Sequence, residues 1–344
     1  MNALQLVAPR TLEFAPMPDP RDPGPGEVLV RIRACGVCGS DMHYYLEGGC
    51  AGTGALYPSV LGHEPAGEIV ELGKGVEGLA AGQRVAVEPA LTCGHCSRCR
   101  AGHANQCEVS RFMGGVQEPG LLRDYAVVPA QNVVPLPDGV DYATATMVEP
   151  LAVLLHSLEL AGLKLGETVA VMGAGPIGLL AVATAKLAGA SRIVAADRVP
   201  HRLAMARKLG ADEAVNIDTE SLRDAVHDLT GGKGAHVVFD GAGKAESINN
   251  AIASARPGGR VVIIGIPSEH RVGLDLWQAM HGELSIHVQK RSNGNDRDAL
   301  DILRRGEIDA GLLITHRFSL EAGARAFETV AGYADGVGKA LVEW

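Results

Sequence analysis

The segment that most limits the fold of this chain is a glycine turn set between an apolar strand and an apolar helix. Val169–Ala170–Val171–Met172 is a short buried run that ends in Gly173–Ala174–Gly175–Pro176–Ile177–Gly178. Pro176 stands where a first helical residue tolerates proline, and Leu179, Leu180, Val182, Ala183 and Leu187 continue as a buried helix. In such a unit the first glycine permits the tight turn, the second lets a pyrophosphate approach the backbone, and the third lets helix and strand pack closely. The helix N-terminus then offers N–H donors and a positive dipole to phosphates. Glycine spacing alone is weak, but in a strand–turn–helix setting it is a dinucleotide fingerprint.

The surrounding sequence repeats the same alternation. Ile193–Ala196, Ala214–Asn216, His236–Phe239 and Val261–Ile264 read as buried strands, and Arg202–Leu209 reads as a helix ended by Gly210. Strands alternating with helices predict a doubly wound, parallel-sheet Rossmann domain in the α/β class. Asp197 closes the second strand, 19 residues after Gly178. A carboxylate there accepts hydrogen bonds from both ribose hydroxyls and repels a 2′-phosphate, which favours NAD over NADP. Arg198 argues the other way, because an arginine beside the ribose can hold that phosphate. Arg202 either packs on the adenine face or is a solvated helix residue. Gly241, Gly243, Gly265 and Pro267 follow later strands and are expected on the nicotinamide side.

At 344 residues the chain has room for two domains. Its first ~150 residues are strand-like and turn-rich: Gly26–Arg33 alternates, as do Glu68–Leu72 and Arg84–Val87, with a helix expected over Ala143–Leu160. A net charge of −9 argues against nucleic-acid or anionic-membrane partners. With 4% aromatic residues there is little material for a base-stacking surface. No basic segment followed by an apolar run opens the sequence, and the longest apolar stretch, Val169–Ala185, is broken by glycines and Pro176. The expectation is a cytoplasmic protein without a membrane span. Seven cysteines in a reducing compartment then point to metal or chemistry in preference to disulfides.

Four of them, Cys93, Cys96, Cys99 and Cys107, lie in TCGHCSRCRAGHANQC. Two-residue gaps let neighbouring thiolates turn back onto one ion, and four thiolates make a closed, structural zinc site. An iron–sulfur cluster is the rival. His95 and His103 are nearby, but the thiolate set is complete without them, and both are expected to be exposed. A second group comprises Cys35–Gly36–Val37–Cys38–Gly39–Ser40–Asp41–Met42–His43, Gly62–His63–Glu64 and Val148–Glu149–Pro150. Spacing alone does not assign it: an isolated cysteine is usually a small buried hydrophobe, and a Cys–x–x–Cys pair also suits a redox couple.

Taken together, the Cys38–His43 motif, Gly62–His63–Glu64, the four-cysteine lobe, Glu149–Pro150–Leu151–Ala152, the glycine turn and Thr315–His316–Arg317–Phe318 resemble the zinc-dependent medium-chain alcohol dehydrogenases, within them the sorbitol (polyol) dehydrogenase branch. The resemblance implies a GroES-like, mostly-β catalytic domain formed by residues 1–146 plus 285–344, with the structural zinc lobe at 88–112, and a Rossmann NAD-binding domain at 147–284. It implies two zinc ions per chain. Cys38 and His63 would bind the catalytic one, with Glu64 as ligand or close neighbour and Glu149 where many relatives have a third cysteine. A fourth position would stay open for water or substrate. Ser40 and His43 would relay the alcohol's proton toward solvent, His43 having an ordinary pKa of ~6.5. Tyr44, Tyr45 and Phe112 are either cleft walls or ordinary packing. Lys290 and Arg291 stand in the region that meets distal substrate hydroxyls in the polyol branch. Cys35 is expected to be buried at a strand end; Cys50 is unassigned.

The expected activity is oxidation of a secondary alcohol of a polyol or sugar-derived alcohol to a ketose, with sorbitol, xylitol or iditol as types. L-threonine, butanediol or L-idonate oxidation on the same scaffold is the alternative. A non-catalytic NAD(P)-binding protein is the alternative of a different class. Relatives of this kind imply a homo-oligomer, a dimer or a homotetramer.

Overall fold

The computed structural model describes residues 1–50, 52–115, 117–269 and 271–344. They form two units, Met1–Ala152 with Ser292–Trp344, and Val153–Arg291.

The first unit is built on the Glu27–Gly36 strand, whose side chains alternate between buried and half-buried, the period-two pattern of a strand with one face in the core. Val28, Val30 and Ile32 are fully buried on it, among Ile69, Val85, Leu121 and Val128. The seven-stranded sheet runs Val133–Pro135, Arg84–Val87, Glu64–Leu72, Glu27–Gly36, Lys339–Glu343, Ile314–Ser319, with Tyr125–Pro129 also pairing with Glu27–Gly36. Register decides what meets at the strand end: Gly36 stands opposite Glu64 on one side and Leu341 on the other. The C-terminal strand therefore lies beside the residues that follow Gly36. A smaller sheet of Thr11–Pro16, Asn2–Ala8 and Ser59–Val60 completes the unit. Its core joins Leu4 and Leu6 to Tyr45 and Phe327.

The second unit is a six-stranded sheet in the order Glu213–Asn216, Arg192–Asp197, Thr168–Met172, Ala235–Asp240, Ala255–Ile263, Ser285–Val288. Every neighbouring pair is parallel. The order reverses at Thr168–Met172, the crevice where doubly wound sheets bind ligands. This is the GroES-like plus Rossmann architecture.

Two local expectations are corrected. Ser285–Val288, read as the start of the returning tail, extends the parallel sheet through a ladder to Arg260–Ile263; with only four residues, its membership depends on a partner strand. The helix expected over Ala143–Leu160 is two helices, Tyr142–Ala145 and Val148–Ala161. Between them the Thr146 hydroxyl donates to the Ala143 carbonyl at 2.7 Å, a side-chain bond that competes with helix continuation. Among the described residues, no helix is long and apolar enough to cross a membrane.

Candidate metal and cofactor sites

Cys93, Cys96, Cys99 and Cys107 present thiol sulfurs that all lie within 4.8 Å of one another. The Cys93 sulfur is 4.0 Å from that of Cys99 and 3.6 Å from that of Cys107. Four sulfurs at ~2.3 Å from one tetrahedral ion would sit about 3.8 Å apart, so the lobe fits a single ion better than a multi-iron cluster. Backbone donors favour the thiolates. The Cys96 N–H donates to Cys93 Sγ at 3.3 Å, the Cys93 N–H to Cys107 Sγ at 3.4 Å, and the Cys99 N–H to Cys96 Sγ at 3.5 Å. Donation from the Cys99 backbone, helped by that of Glu108, brings Cys96 down to about 6. His95 and His103 are exposed.

The second group gathers unlike donors. Cys38 Sγ, a His63 ring nitrogen and a Glu64 carboxylate oxygen also lie within 4.8 Å of one another. Cys38 caps the helix Gly39–Glu47, and His63 directly precedes the strand that begins at Glu64. Asp41, fully buried, ties the two segments together. One of its oxygens accepts from the Cys38 N–H at 3.0 Å; the other accepts from the Gly62 N–H at 3.0 Å and lies 3.3 Å from His63 Nδ1. Burial opposes charge on His63, but Asp41 and Cys38 outweigh it and hold the imidazole pKa well above its ordinary value. A buried pocket that favours positive charge and offers a sulfur, a nitrogen and a carboxylate suits zinc.

Glu64 has a partner that sequence reading missed. The ammonium of Lys339, 2% exposed, forms an ion pair with its carboxylate and donates to the Val37 carbonyl at 3.3 Å. The space comes from Gly36: a Cβ there would lie 2.1 Å from Glu64 Oε2 and 2.8 Å from Lys339 Cε. Glu149, which the resemblance put among the ligands, is buried in the first turn of Val148–Ala161 but stands outside the three-atom group. Glu64 reaches that group because it starts the strand next to His63. Burial pushes the Glu149 carboxyl up to about 8, against the pull of His63, with Glu64 and Glu88 raising it further.

Ser40 Oγ lies 3.3 Å from His63 Nε2. His43 is partly buried and pairs with Glu47 at 3.2 Å. The Phe112 ring is 5.1 Å from that of His63. Tyr44 is half-buried against the core, whereas Tyr45 is core proper, 5% exposed with its ring 5.4 Å from Phe327; of the two readings, ordinary packing is the one Tyr45 follows. Cys35 is fully buried at its strand end, and Cys50 is also buried. Lys290 is exposed, and Arg291 has a left-handed φ of 53°.

In the second unit the glycine turn is built as its spacing suggests. Gly173 has φ 89°, and a Cβ on Gly178 would fall 1.7 Å from the Gly173 carbonyl oxygen. Pro176 is the first residue of the helix Pro176–Leu187, capped by Gly175, with Ile177 next in its first turn. Asp197 ends the neighbouring strand. Its carboxylate accepts from the Ala174 N–H at 2.7 Å and the Val199 N–H at 2.9 Å. Arg198 is exposed. Arg202 is buried, with a guanidinium nitrogen 3.7 Å from where a Gly175 Cβ would sit. The Gly241 N–H donates to Met172, and the Gly265 N–H to the Asp240 carbonyl. The Asp240 carboxylate accepts from the Gly243 N–H at 2.9 Å, so an aspartate that sequence reading passed over joins these loops. Pro267 is half-buried in the loop after Gly265.

Known proteins carry the same two-part pattern. The alcohol dehydrogenase GroES-like domain matches residues 24–138, and the zinc-binding dehydrogenase domain matches residues 176–302. The chain is 34% identical over 342 residues to the sorbitol dehydrogenase of Bacillus subtilis (strain 168), covering 99% of this chain and 97% of the relative. It is 37% identical over 335 residues to the L-idonate 5-dehydrogenase of Vitis vinifera, covering 96% and 91%. Among solved structures, a candidate zinc-binding dehydrogenase from Sinorhizobium meliloti 1021 bound to NADP superposes with a TM-score of 0.89 at 32% identity, covering 100% of this chain and 99% of that one. With end-to-end identity above 30% and both domains matched, this chain belongs to the zinc-dependent medium-chain dehydrogenase/reductase family, whose members are NAD(P)-linked oxidoreductases.

Proposed function

We propose that the protein is an NAD-preferring zinc dehydrogenase that oxidises a secondary hydroxyl of a polyol or sugar-derived alcohol to a ketone. The observation that carries this reading is the group of half-buried Cys38 with buried His63 and Glu64, three unlike donors converging from two segments. In this reading they hold the catalytic zinc, and the four-cysteine lobe holds a structural one. When bound, zinc supplies Lewis acidity that eases loss of the substrate's hydroxyl proton, and NAD supplies the hydride acceptor. The chain's own residues orient and exclude water. Asp41 fixes the imidazole of His63, Lys339 restrains Glu64, and Phe112 covers one side of the His63 ring. Ser40 accepts the proton, and the partly exposed His43 returns it to solvent. Glu149 sets the charge beside the group, and Tyr44, Lys290 and Arg291 are the proposed substrate contacts.

The glycine turn and the N-terminus of Pro176–Leu187 take the pyrophosphate. Asp197 takes the ribose, Arg202 the adenine side, and Gly241, Gly265 and Pro267 the nicotinamide side. NAD is preferred because a buried carboxylate at Asp197 repels a 2′-phosphate; exposed Arg198 is the residue through which NADP would enter. Homo-oligomer formation is supported by Ser285–Val288, which ends the parallel sheet with Val288 78% exposed, an edge that invites pairing with another chain. A reducing, cytoplasmic setting suits the seven free thiols.

Steady-state assays with sorbitol, xylitol, iditol, galactitol, butanediol, L-threonine and L-idonate, each with NAD and NADP, test the reading. A polyol with NAD is expected to give the highest kcat/KM. L-idonate, favoured by the Vitis vinifera relative, is the second reading; its dominance, or that of threonine, would overturn the polyol assignment. No turnover at two zinc per chain would favour a non-catalytic binding protein. Light scattering should return a dimer or tetramer.

A further inference from the structure

The second unit runs from Val153 to Arg291, and the side chain of Gln289, which none of the chemistry above uses, ties its two ends together. Gln289 Nε2 donates to the Val153 carbonyl at 2.7 Å and to the Arg291 carbonyl at 3.0 Å. Gln289 Oε1 accepts from the Ser157 hydroxyl at 2.5 Å. Ser157 is fully buried, one turn after Val153 in the helix Val148–Ala161. The Gln289 N–H donates to the Ile263 carbonyl at 3.1 Å, so the residue is held by backbone and side chain alike.

The chemistry of an amide leaves this clasp little freedom. A glutamine side chain has two N–H donors and a carbonyl acceptor, and here all of them are used. The Ser157 hydroxyl also lies 3.0 Å from the Val153 carbonyl, but that carbonyl already has the Gln289 amide as a donor, and Gln289 Oε1 can only accept. Turning the amide over would set its oxygen against two carbonyl oxygens, so the network fixes its orientation. Glutamate would lack the donors, and asparagine is a methylene short. Beside the clasp, Arg291 has φ 53°, in the left-handed region that L side chains rarely adopt. Such a backbone persists where its surroundings over-determine it. The bond from Gln289 to the Arg291 carbonyl is a restraint of that kind.

We propose that Gln289 is a positioning residue for substrate: its clasp on Val153 and Ser157 holds Lys290 and Arg291 in the backbone conformation that presents them to the alcohol. The role rests on the reading of Lys290 and Arg291 as substrate contacts, and adds that their direction is set by a neighbouring amide that touches no substrate itself. Losing the clasp removes binding common to ground and transition states, so KM should move and kcat should not.

Gln289→Met keeps the side chain's bulk and removes its hydrogen bonds. With the alcohol of the panel above that turns over best, the KM should rise by about tenfold, while kcat and the KM for NAD stay within about threefold. An amide with a merely structural role would lower stability and leave that split unmoved. In a double-mutant cycle, Gln289→Met should add less than about twofold to the KM of Lys290→Ala/Arg291→Ala, since a residue that acts through others then has nothing to act on. Ser157→Ala removes one bond of the clasp and is the milder variant; it should raise the KM by about two- to threefold. Limited tryptic cleavage of the intact protein after Lys290 and Arg291 reads the clasp without any substrate, and should quicken by about tenfold in Gln289→Met. Unchanged cleavage, an unchanged KM in Gln289→Met where Lys290→Ala/Arg291→Ala raises it, or full additivity in the cycle would overturn the proposal. An unchanged KM in Lys290→Ala/Arg291→Ala, with cleavage quickened in Gln289→Met, would remove the substrate contacts themselves, and the positioning role only through them.

Discussion

The two cysteine-containing groups offer the same metal-binding element in different settings. In the Cys93–Cys107 lobe four like donors come from one short segment, and backbone N–H groups of that segment orient the sulfurs. In the other group three unlike donors come from a helix cap and a strand start, braced by Asp41 and by Lys339, which lies 302 positions beyond the Val37 carbonyl it contacts. A closed local shell leaves no position for chemistry, whereas an open shell made of distant pieces needs the whole unit to assemble it. The first should therefore fail as loss of stability and the second as loss of activity.

Cys38→Ser is the sharpest attempt to break that contrast. Turnover should fall by about 10³-fold or more, zinc content should drop from two per chain to one, and the melting temperature should barely move. Retained activity would remove the distinction. Lys339→Met is next: it leaves the buried Glu64 carboxylate without its partner, and chemical denaturation should register a loss of about 3–5 kcal/mol. Lys339→Met/Glu64→Gln should recover most of that loss, since it removes both charges.

Cys96→Ser tests the other side. It should release the lobe's ion and lower the melting temperature by roughly 5–10 °C, as expected for about 2–3 kcal/mol in a unit of this size. The kcat of the folded fraction should stay within about threefold of wild type. A collapse of kcat with no loss of stability would show that the lobe is not merely structural. Asp41→Asn should weaken metal binding at the open group by about 10–100-fold, measured by competition with a chelator, and leave the lobe's affinity alone.

The smallest effect concerns Asp296, buried in the first unit. Burial pushes its carboxyl up to about 8, with Glu88 and Glu149 raising it further. Its folded pKa exceeds its unfolded one, so its contribution is full below the ordinary carboxylate range and is lost as pH rises toward 8. Asp296→Asn should therefore melt above wild type by a margin that grows with pH and levels off above about 8, reaching roughly 2–4 °C. A margin that shrinks with rising pH would contradict the assignment.

These contrasts follow how far apart in the chain each feature's determinants lie. The glycine turn, the first five parallel strands after Glu167 and the four-thiol lobe are local, since each is specified by residues within one short stretch of chain. Their spacing is readable without a partner. Cys38 and His63 were legible through their motifs, but Asp41's bonds to both segments were not, because a buried aspartate in a turn reads as an ordinary cap until the partner loop is in place. Ser285–Val288 was read as tail, since four residues carry too little pattern to reveal sheet membership without the neighbour strand.

The amino-acid order alone determined the two-part architecture, the cofactor turn and the donor types available to metal, because hydrophobic period, glycine spacing and cysteine spacing act over short separations. Tertiary structure alone decided that Glu64 and not Glu149 stands in the group with Cys38 and His63, that Gly36 leaves room for it, and that Lys339 balances its charge. The reason is register: pairing of the last strand with Glu27–Gly36 brings a lysine from the end of the chain to a carboxylate near its beginning, a contact with no local signature.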